Sequence, residues 1–385
     1  MSIKSRLTHW LETHWVNPAY IGWVLGGLAL FFFIAATNTL SGWLYVISGV
    51  SMALLTIATT RSTQNLKGIE VIRRPIYPVS AGDPLTVELL IQNTTTKAKN
   101  LLQVSDLIPY QLGEPVTKVI EVLNADTTQY WVYQHPTQQR GVYRWQTVQM
   151  RSAAPLGLVW RRQDQKAEAM AIVYPTILPL AHCPLIDQIG QESSAQFTSD
   201  QRAKAAQEGL TRSLRPYRWG DPTRLIHWRT SARYGELRVR ELELFTGSQD
   251  LVICLDSATA WNSAAFEEAV IAAASLYFYA ARQALTIQLW TARTGLLHGE
   301  QAVLEALAAT DAGEDAHTVN RPNLPLIWLT QNPDSLNTLP SGSRWLLWSQ
   351  PATEPRSSPS PGLVIRPERS LQSQLQDSLR WSLTR

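Results

Sequence analysis

The hydrophobic rhythm of the chain changes twice. Apolar residues first run almost unbroken through "YIGWVLGGLALFFFIAAT" (Tyr20 to Thr37) and "LSGWLYVISGVSMALLTIATT" (Leu40 to Thr60), with only Asn38 and Thr39 between them. No Asp, Glu, Lys or Arg occurs between Glu12 and Arg61. At about 1.5 Å per residue, a helix of either length matches the ~30 Å hydrocarbon layer, so the pattern predicts a hairpin of two transmembrane helices. Gly26, Gly27, Gly42 and Gly49 allow close helix approach. Trp15, Tyr20, Trp23 and Trp43 fall where aromatic belts form.

From Gly68 to about Leu180 the period becomes two, as in "PLTVELLIQN", "TTQYWVYQ" and "GVYRWQTVQM", with turn signals at Ala81-Gly82-Asp83, Asn93-Thr94 and Arg140-Gly141. Alternation rich in β-branched and aromatic residues predicts antiparallel strands, and their number predicts a β-sandwich. From Asp250 the rhythm changes again. The runs "DLVICLD", "LTIQLW", "LPLIWLT", "RWLLWSQ" and "GLVIR" alternate with helical patterns and end in an amphipathic helix from Glu368. Continuous apolar runs of this kind read as parallel strands covered on both faces, an α/β doubly wound domain. In its first long helix Phe266, Val270, Ala274, Tyr277 and Ala281 recur at helical spacing and form a core face. The expected domains are therefore 1–66 (hairpin), 67–180 (sandwich), 181–249 (a connecting segment) and 250–385 (α/β).

Composition refines this picture in two places. The 385 residues carry a net charge of only +3, so electrostatic arguments must be local. Lys4 and Arg6 precede the hairpin and Arg61, Lys67, Arg73 and Arg74 follow it, which directs both termini and the large domains to the cytoplasm. A cleaved signal peptide would share the basic start, but a second full-length apolar segment follows at once. Cys183 and Cys254 are the only cysteines, too few for a disulfide framework.

The connecting segment holds the densest chemistry, "LRPYRWGDPTRLIHWRTSARYGELRVRELE" (Leu214 to Glu243), rich in arginine and devoid of lysine. Asp221 is a good N-cap, Pro222 a good first helical residue and Gly235 a good C-terminal glycine, so the spacing predicts a helix over "PTRLIHWRTSARY" that buries Leu225, Trp228 and Ala232. A strand follows, with Leu237 and Val239 on one face and Arg238 and Arg240 on the other. Guanidinium groups fork onto carboxylates or phosphates and stack on Tyr217, Trp219 and Trp228. Three uses are open: nucleic-acid binding, contact with anionic lipid, and a salt-bridge network with Asp221, Glu236, Glu241 and Glu243 that docks the segment on the α/β domain. The opposing glutamates and the lack of a nucleic-acid module favour the third.

The second place for chemistry is Asp256, at the end of the first α/β strand, because open α/β sheets bind ligands at the carboxyl ends of their strands. The sequence there is Asp256-Ser257-Ala258-Thr259-Ala260. It resembles the metal site of von Willebrand factor A domains, which follows Asp-x-Ser-x-Ser, but Ala258 and Ala260 replace both hydroxyls. Asp256 alone offers a hard cation too few oxygens, so no metal or other cofactor is expected. The histidines are scattered without metal-ligand spacing.

The Arg-rich stretch resembles the signature of the family known as domain of unknown function 58. The matching residues are Arg215, Tyr217, Gly220, Asp221, Arg224, Ile226, Trp228, Ser231 to Arg233, Gly235 and Leu237, of which Arg215, Tyr217, Gly220, Asp221, Arg224, Trp228, Ser231, Arg233 and Gly235 are the candidate site residues. "APLGL" (Ala154 to Leu158) before "VYP" (Val173 to Pro175) agrees, although Ala154 stands where family members usually carry Asp. The resemblance implies a von Willebrand factor A-like α/β domain in a membrane-anchored bacterial protein. It also implies, by association, a MoxR-type AAA+ ATPase and a transglutaminase-like membrane protein as partners. The expectation is a cytoplasm-facing adaptor in the inner membrane rather than an enzyme, with protein assembly or envelope maintenance as its field. The alternatives are a hydrolase or transferase working near Asp256, and a binder of nucleic acid or anionic lipid.

Overall fold

The structure is a computed structural model that describes residues 17–188, 211–218, 226–242, 251–283, 285–315, 321–322, 324–348 and 360–378. It divides into two compact units, Met1–Pro175 and Thr176–Arg385.

The first unit opens with a short strand β1 (Asn17–Pro18) and two helices, α1 (Tyr20–Thr39) and α2 (Gly42–Leu66). Both helices are long and apolar enough to cross a membrane. Small side chains let them pack closely, since Ala29, Ala36, Ser48 and Ala58 are buried. Ser48 Oγ donates across the pair to the Ala29 carbonyl at 2.8 Å. Around this seam large apolar side chains such as Tyr20, Trp23, Phe31 and Trp43 are exposed.

The chain then forms β2 (Ile69–Arg73), β3 (Val79–Ser80), β4 (Pro84–Asn93), β5 (Lys99–Asp106), β6 (Val116–Leu123), β7 (Thr128–Pro136), β8 (Gly141–Ser152) and β9 (Val159–Tyr174). One sheet has the order β2-β4-β7 and the other β1-β9-β8-β5-β6, with β3 added to β9. The period-two pattern works as it should: Leu85, Val87, Leu89 and Ile91 of β4 all turn inward. They meet Leu102, Val104, Val148, Met150 and Val173 of the other sheet in one core. Inside that core lies an ion pair, in which the Arg73 guanidinium forks onto both oxygens of Asp106 at 2.5 and 2.8 Å. Tyr133 Oη and Trp145 Nε1 also donate to Asp106, at 2.7 and 3.0 Å.

The second unit contains β10 (Thr211–Pro216), α3 (Trp228–Tyr234), β11 (Arg238–Leu242), β12 (Leu251–Leu255), α4 (Ser263–Arg282), β13 (Ile287–Thr291), β14 (Gly295–Leu297), α5 (Glu300–Ala309), β15 (Leu326–Thr330), β16 (Arg344–Trp348), β17 (Gly362–Ile365) and α6 (Leu371–Leu375). Its main sheet has the order β14-β13-β12-β15-β16-β17. All pairs are parallel except the antiparallel edge strand β14. The order reverses at β12, so β12 and β15 flank the switch point. By length and composition α4 would also span a membrane, but 61% of its apolar window is buried, against 17% for α1 and for α2. It is a core helix: Phe266, Val270, Ala274 and Tyr277 are buried and Ala281 packs beside them.

Two details differ from the sequence-based expectation. Ile253, Leu255, Leu289, Ile327 and Leu346 share one core with α4, α5 and α6. The opposite face, with Val252, Cys254, Trp290, Trp328, Trp345 and Leu347, receives Leu336 from the 3-10 helix Pro333–Thr338. Among the described residues the α-helices of the sheet core thus cover one face rather than two. Residues 331–343 connect β15 to β16 and are near the minimum for a parallel crossover, which a single 3-10 turn satisfies. The last helix starts at Leu371 rather than Glu368, because Ser370 caps it by accepting from Ser373 N. Cys183 and Cys254 are free and buried, and burial pushes the Cys183 thiol up to about 12.

Candidate functional site

The Arg-rich segment folds around a two-stranded antiparallel ladder, β10 with β11, in which Arg215 pairs with Val239 and Pro216 with Arg238. Tyr217 N extends the ladder by donating to Leu237 O at 2.8 Å. Ile226 bridges to Val239, and both are buried. The helix that follows begins later than capping propensity predicts. His227 is its N-cap: Thr230 N donates to His227 Nδ1 at 3.2 Å and Thr230 Oγ1 lies 2.8 Å from the same atom. Nδ1 is therefore unprotonated, and the ring proton sits on Nε2. Gly220, Asp221 and Arg224 lie outside the described residues, as do Pro222 and Leu225.

Ser231 joins this helix to β11. Its hydroxyl donates to His227 O at 3.0 Å and accepts from Arg238 N at 2.9 Å. Gly235 ends the helix at φ 71, where its N–H reaches Ser231 O and a side chain would be strained. The guanidinium of Arg238 stacks 4.4 Å from the Tyr234 ring centre. Two residues of the predicted apolar stripe, Trp228 and Ala232, are not buried. Trp228 is 65% exposed, Ala232 is exposed, and Arg229, Arg233, Tyr234 and Leu237 are exposed with them, while Tyr217 is half-buried. Of the residues of this helix only Ser231 is buried, and the contacts that hold it are polar. His227, Thr230 and Arg238 were not singled out for these roles by sequence reasoning, and a His-x-x-Thr spacing before the Gly is the signal that marks the cap.

At the switch point Asp256 N donates to Leu329 O at 3.0 Å, carrying the chain past β15. The carboxylate is buried, and Thr330 Oγ1 donates to its Oδ2 at 2.7 Å. Burial raises the Asp256 pKa above the ordinary aspartate value, opposed by the hydrogen bonds of Thr330 and Thr259 and by the charge of Arg321. The hydroxyls that follow are turned into the fold. Ser257 Oγ accepts from Ala292 N at 3.0 Å, and Thr259 Oγ1 donates to the Asp256 carbonyl at 3.2 Å, as does Trp261 Nε1 at 2.6 Å. Among the described residues no three His, Cys, Asp or Glu side chains gather at metal-binding distance. Thr330 could not be found from sequence, because only the parallel register places it beside Asp256.

Residues 213–321, from β10 past α5, match the family model described as "Protein of unknown function DUF58". The match supports that family and assigns no activity. No curated protein matches the chain. Among solved structures, the CARDB domain of a Pyrococcus furiosus protein, crystallised with di-metal ions, is 12% identical over 27% of this chain and 93% of that one, at a TM-score of 0.19. A β-glucosidase from Listeria innocua is 17% identical over 27% of this chain and 16% of its own, at 0.16. The Pseudomonas fluorescens alkylpurine DNA glycosylase AlkC is 11% identical over 36% and 40%, at 0.18. Likenesses this slight define no function.

Proposed function

We propose that the protein is a membrane-anchored interaction module. The hairpin α1–α2 spans the inner membrane twice, and the β-sandwich and the von Willebrand factor A-like α/β domain stand on the cytoplasmic side. The observation that carries this reading is the exposed face of α3. Trp228 and Tyr234 beside Arg229 and Arg233 project from a helix whose polar locks fix it in place. Trp, Tyr and Arg on a preorganised scaffold are the residues that dominate protein interfaces. A catalytic reading has less support, because the carboxylate of Asp256 is bonded by Thr330 and the neighbouring hydroxyls hold backbone groups.

The family resemblance makes a MoxR-type AAA+ ATPase the partner to test, with a transglutaminase-like membrane protein as a further member of the assembly. Affinity capture from detergent-solubilised membranes should recover such an ATPase with the wild type and lose it with Trp228→Ala and Tyr234→Ala. Ser231→Thr, which keeps the inward hydroxyl, should retain it. Recovery that is indifferent to Trp228 and Tyr234, or no ATPase with the wild type, would refute the proposal.

A further inference from the structure

Both ends of the hairpin are fastened to the β domain, at the loop 153–160 and at the strand residues Ser152 and Asn100. Ala19 N donates to Leu158 O at 2.9 Å, and a side-chain carbon added at Gly22 would collide with that same carbonyl. Asn17 and Pro18 pair with Trp160 and Val159. On the other helix, Asn65 Nδ2 donates to Ser152 Oγ at 2.8 Å and to Asn100 O at 2.7 Å, and Ser62 Oγ donates to Ser152 O at 3.3 Å. Leu158 and Val159 pack in one apolar cluster with Ala58, Leu25 and Leu55.

These contacts set the depth of the loop. Ala58 lies three residues before Arg61, the first charge after the apolar span, so Leu158 reaches about 4.5 Å further into the apolar zone than that charge. Its neighbours Pro155, Leu156 and Gly157 are exposed, and Leu156 is 46% exposed at the turn. Trp160 is half-buried, with the Arg151 guanidinium 5.0 Å from its ring centre. Tyr20 and Trp23 are exposed at the start of α1, the same end of the hairpin. An apolar tip, an aromatic ring and a guanidinium at the level where a spanning helix leaves the hydrocarbon are the chemistry of the lipid interface.

We propose that the loop 153–160 is a third membrane contact: Leu156 enters the outer hydrocarbon, Trp160 lies at the interface, and Arg151 faces the lipid phosphates. This rests on the hairpin spanning the bilayer. The loop would then hold the β domain against the membrane at a fixed tilt, instead of leaving it to swing on a tether.

Nitroxide labels at Leu156→Cys, Trp23→Cys and Tyr110→Cys test this in the full chain, reconstituted in phosphatidylcholine–phosphatidylglycerol nanodiscs. The native cysteines are buried and stay in place. Tyr110 is 96% exposed and follows β5, which runs from its membrane-proximal start at Asn100 to the far end of the domain. Collision with oxygen marks lipid, and collision with a water-soluble nickel chelate marks solvent. The label at 156 should shift toward the oxygen-rich ratio of 23 and away from 110. If 156 is nickel-accessible like 110 while 23 is in lipid, the loop proposal falls and the anchor stands. A label at 156 shielded from both reagents means that protein covers the loop, which also overturns it. If 23 itself is nickel-accessible, the spanning hairpin is wrong and the inference falls with it.

Discussion

Among the described residues each unit buries one aspartate, and the two are treated in opposite ways. Asp106, in the β domain, receives the fork of Arg73 together with Tyr133 and Trp145. Arg73 also lies 5.2 Å over the Trp145 ring, and its Nε donates to Ala167 O. Asp256, at the switch point of the α/β sheet, accepts from the Thr330 hydroxyl, and burial raises its pKa. A buried charge that is paired and fully hydrogen-bonded pins the elements that supply its donors. A buried charge with little compensation instead makes stability depend on pH. The first arrangement suits a spacer; the second leaves a titratable group at the position where open α/β sheets meet ligands.

The largest effect expected from this contrast is at the paired site. Arg73→Ala leaves Asp106 buried without its counter-ion and should destabilise the first unit by about 3–5 kcal/mol. Replacing both partners, Arg73→Met with Asp106→Leu, should recover most of that loss, because no charge is then stranded. Calorimetry of the transition belonging to the β domain checks both. A double variant as unstable as the single one would show that the network's geometry, rather than its charge balance, holds the sheets together. Burial, and then the Asp106 charge, raise the Tyr133 pKa, so its hydroxyl remains a donor at alkaline pH.

Much of the architecture was legible in the chain because burial writes a period. The hairpin shows as an absence of charge from residue 13 to 60, β4 as strict alternation, and β12 as five consecutive buried residues, the mark of a strand packed on both faces. The period does not say what covers each face, so the one-sided placement of α4, α5 and α6 had no sequence signal. Side-chain networks are less legible still. Arg73, Asp106, Tyr133 and Trp145 come from four strands, and only sheet register and core packing bring them together. In the Arg-rich segment, Asp221 and Pro222 carry the stronger capping propensity, whereas the described helix Trp228–Tyr234 takes His227 as its N-cap. Ser231 ties that helix to Arg238 of β11, a contact that residue spacing does not reveal. Asp256 is marked by its position at a strand end, whereas Thr330 is placed beside it only by the pairing of Leu255 with Leu329.

The Asp256 carboxylate yields the next two effects. Thr330→Val removes the hydroxyl that donates to Asp256 and should destabilise the α/β unit by about 1–3 kcal/mol at pH 8. The loss should shrink on acidification, because a protonated Asp256 has less charge to solvate. A loss that is constant from pH 8 to pH 5 would mean that the threonine acts through packing rather than through the carboxylate.

Asp256→Asn should have the smallest effect, and its sign is the sharpest test. The folded pKa of Asp256 lies above the unfolded one, so the folded state binds its proton at higher pH than the unfolded chain does. Stability from this group therefore falls as pH rises from the ordinary aspartate range to the raised value, and the cost is fully present above it. The asparagine keeps an oxygen for Thr330 and carries no charge, so it should raise the melting temperature of the α/β unit at pH 8 and flatten its dependence on pH below neutrality. A variant less stable than wild type at pH 8 would show that the charge is compensated in the folded protein. The switch point would then be as closed as the Asp106 site, and the contrast between the two units would vanish.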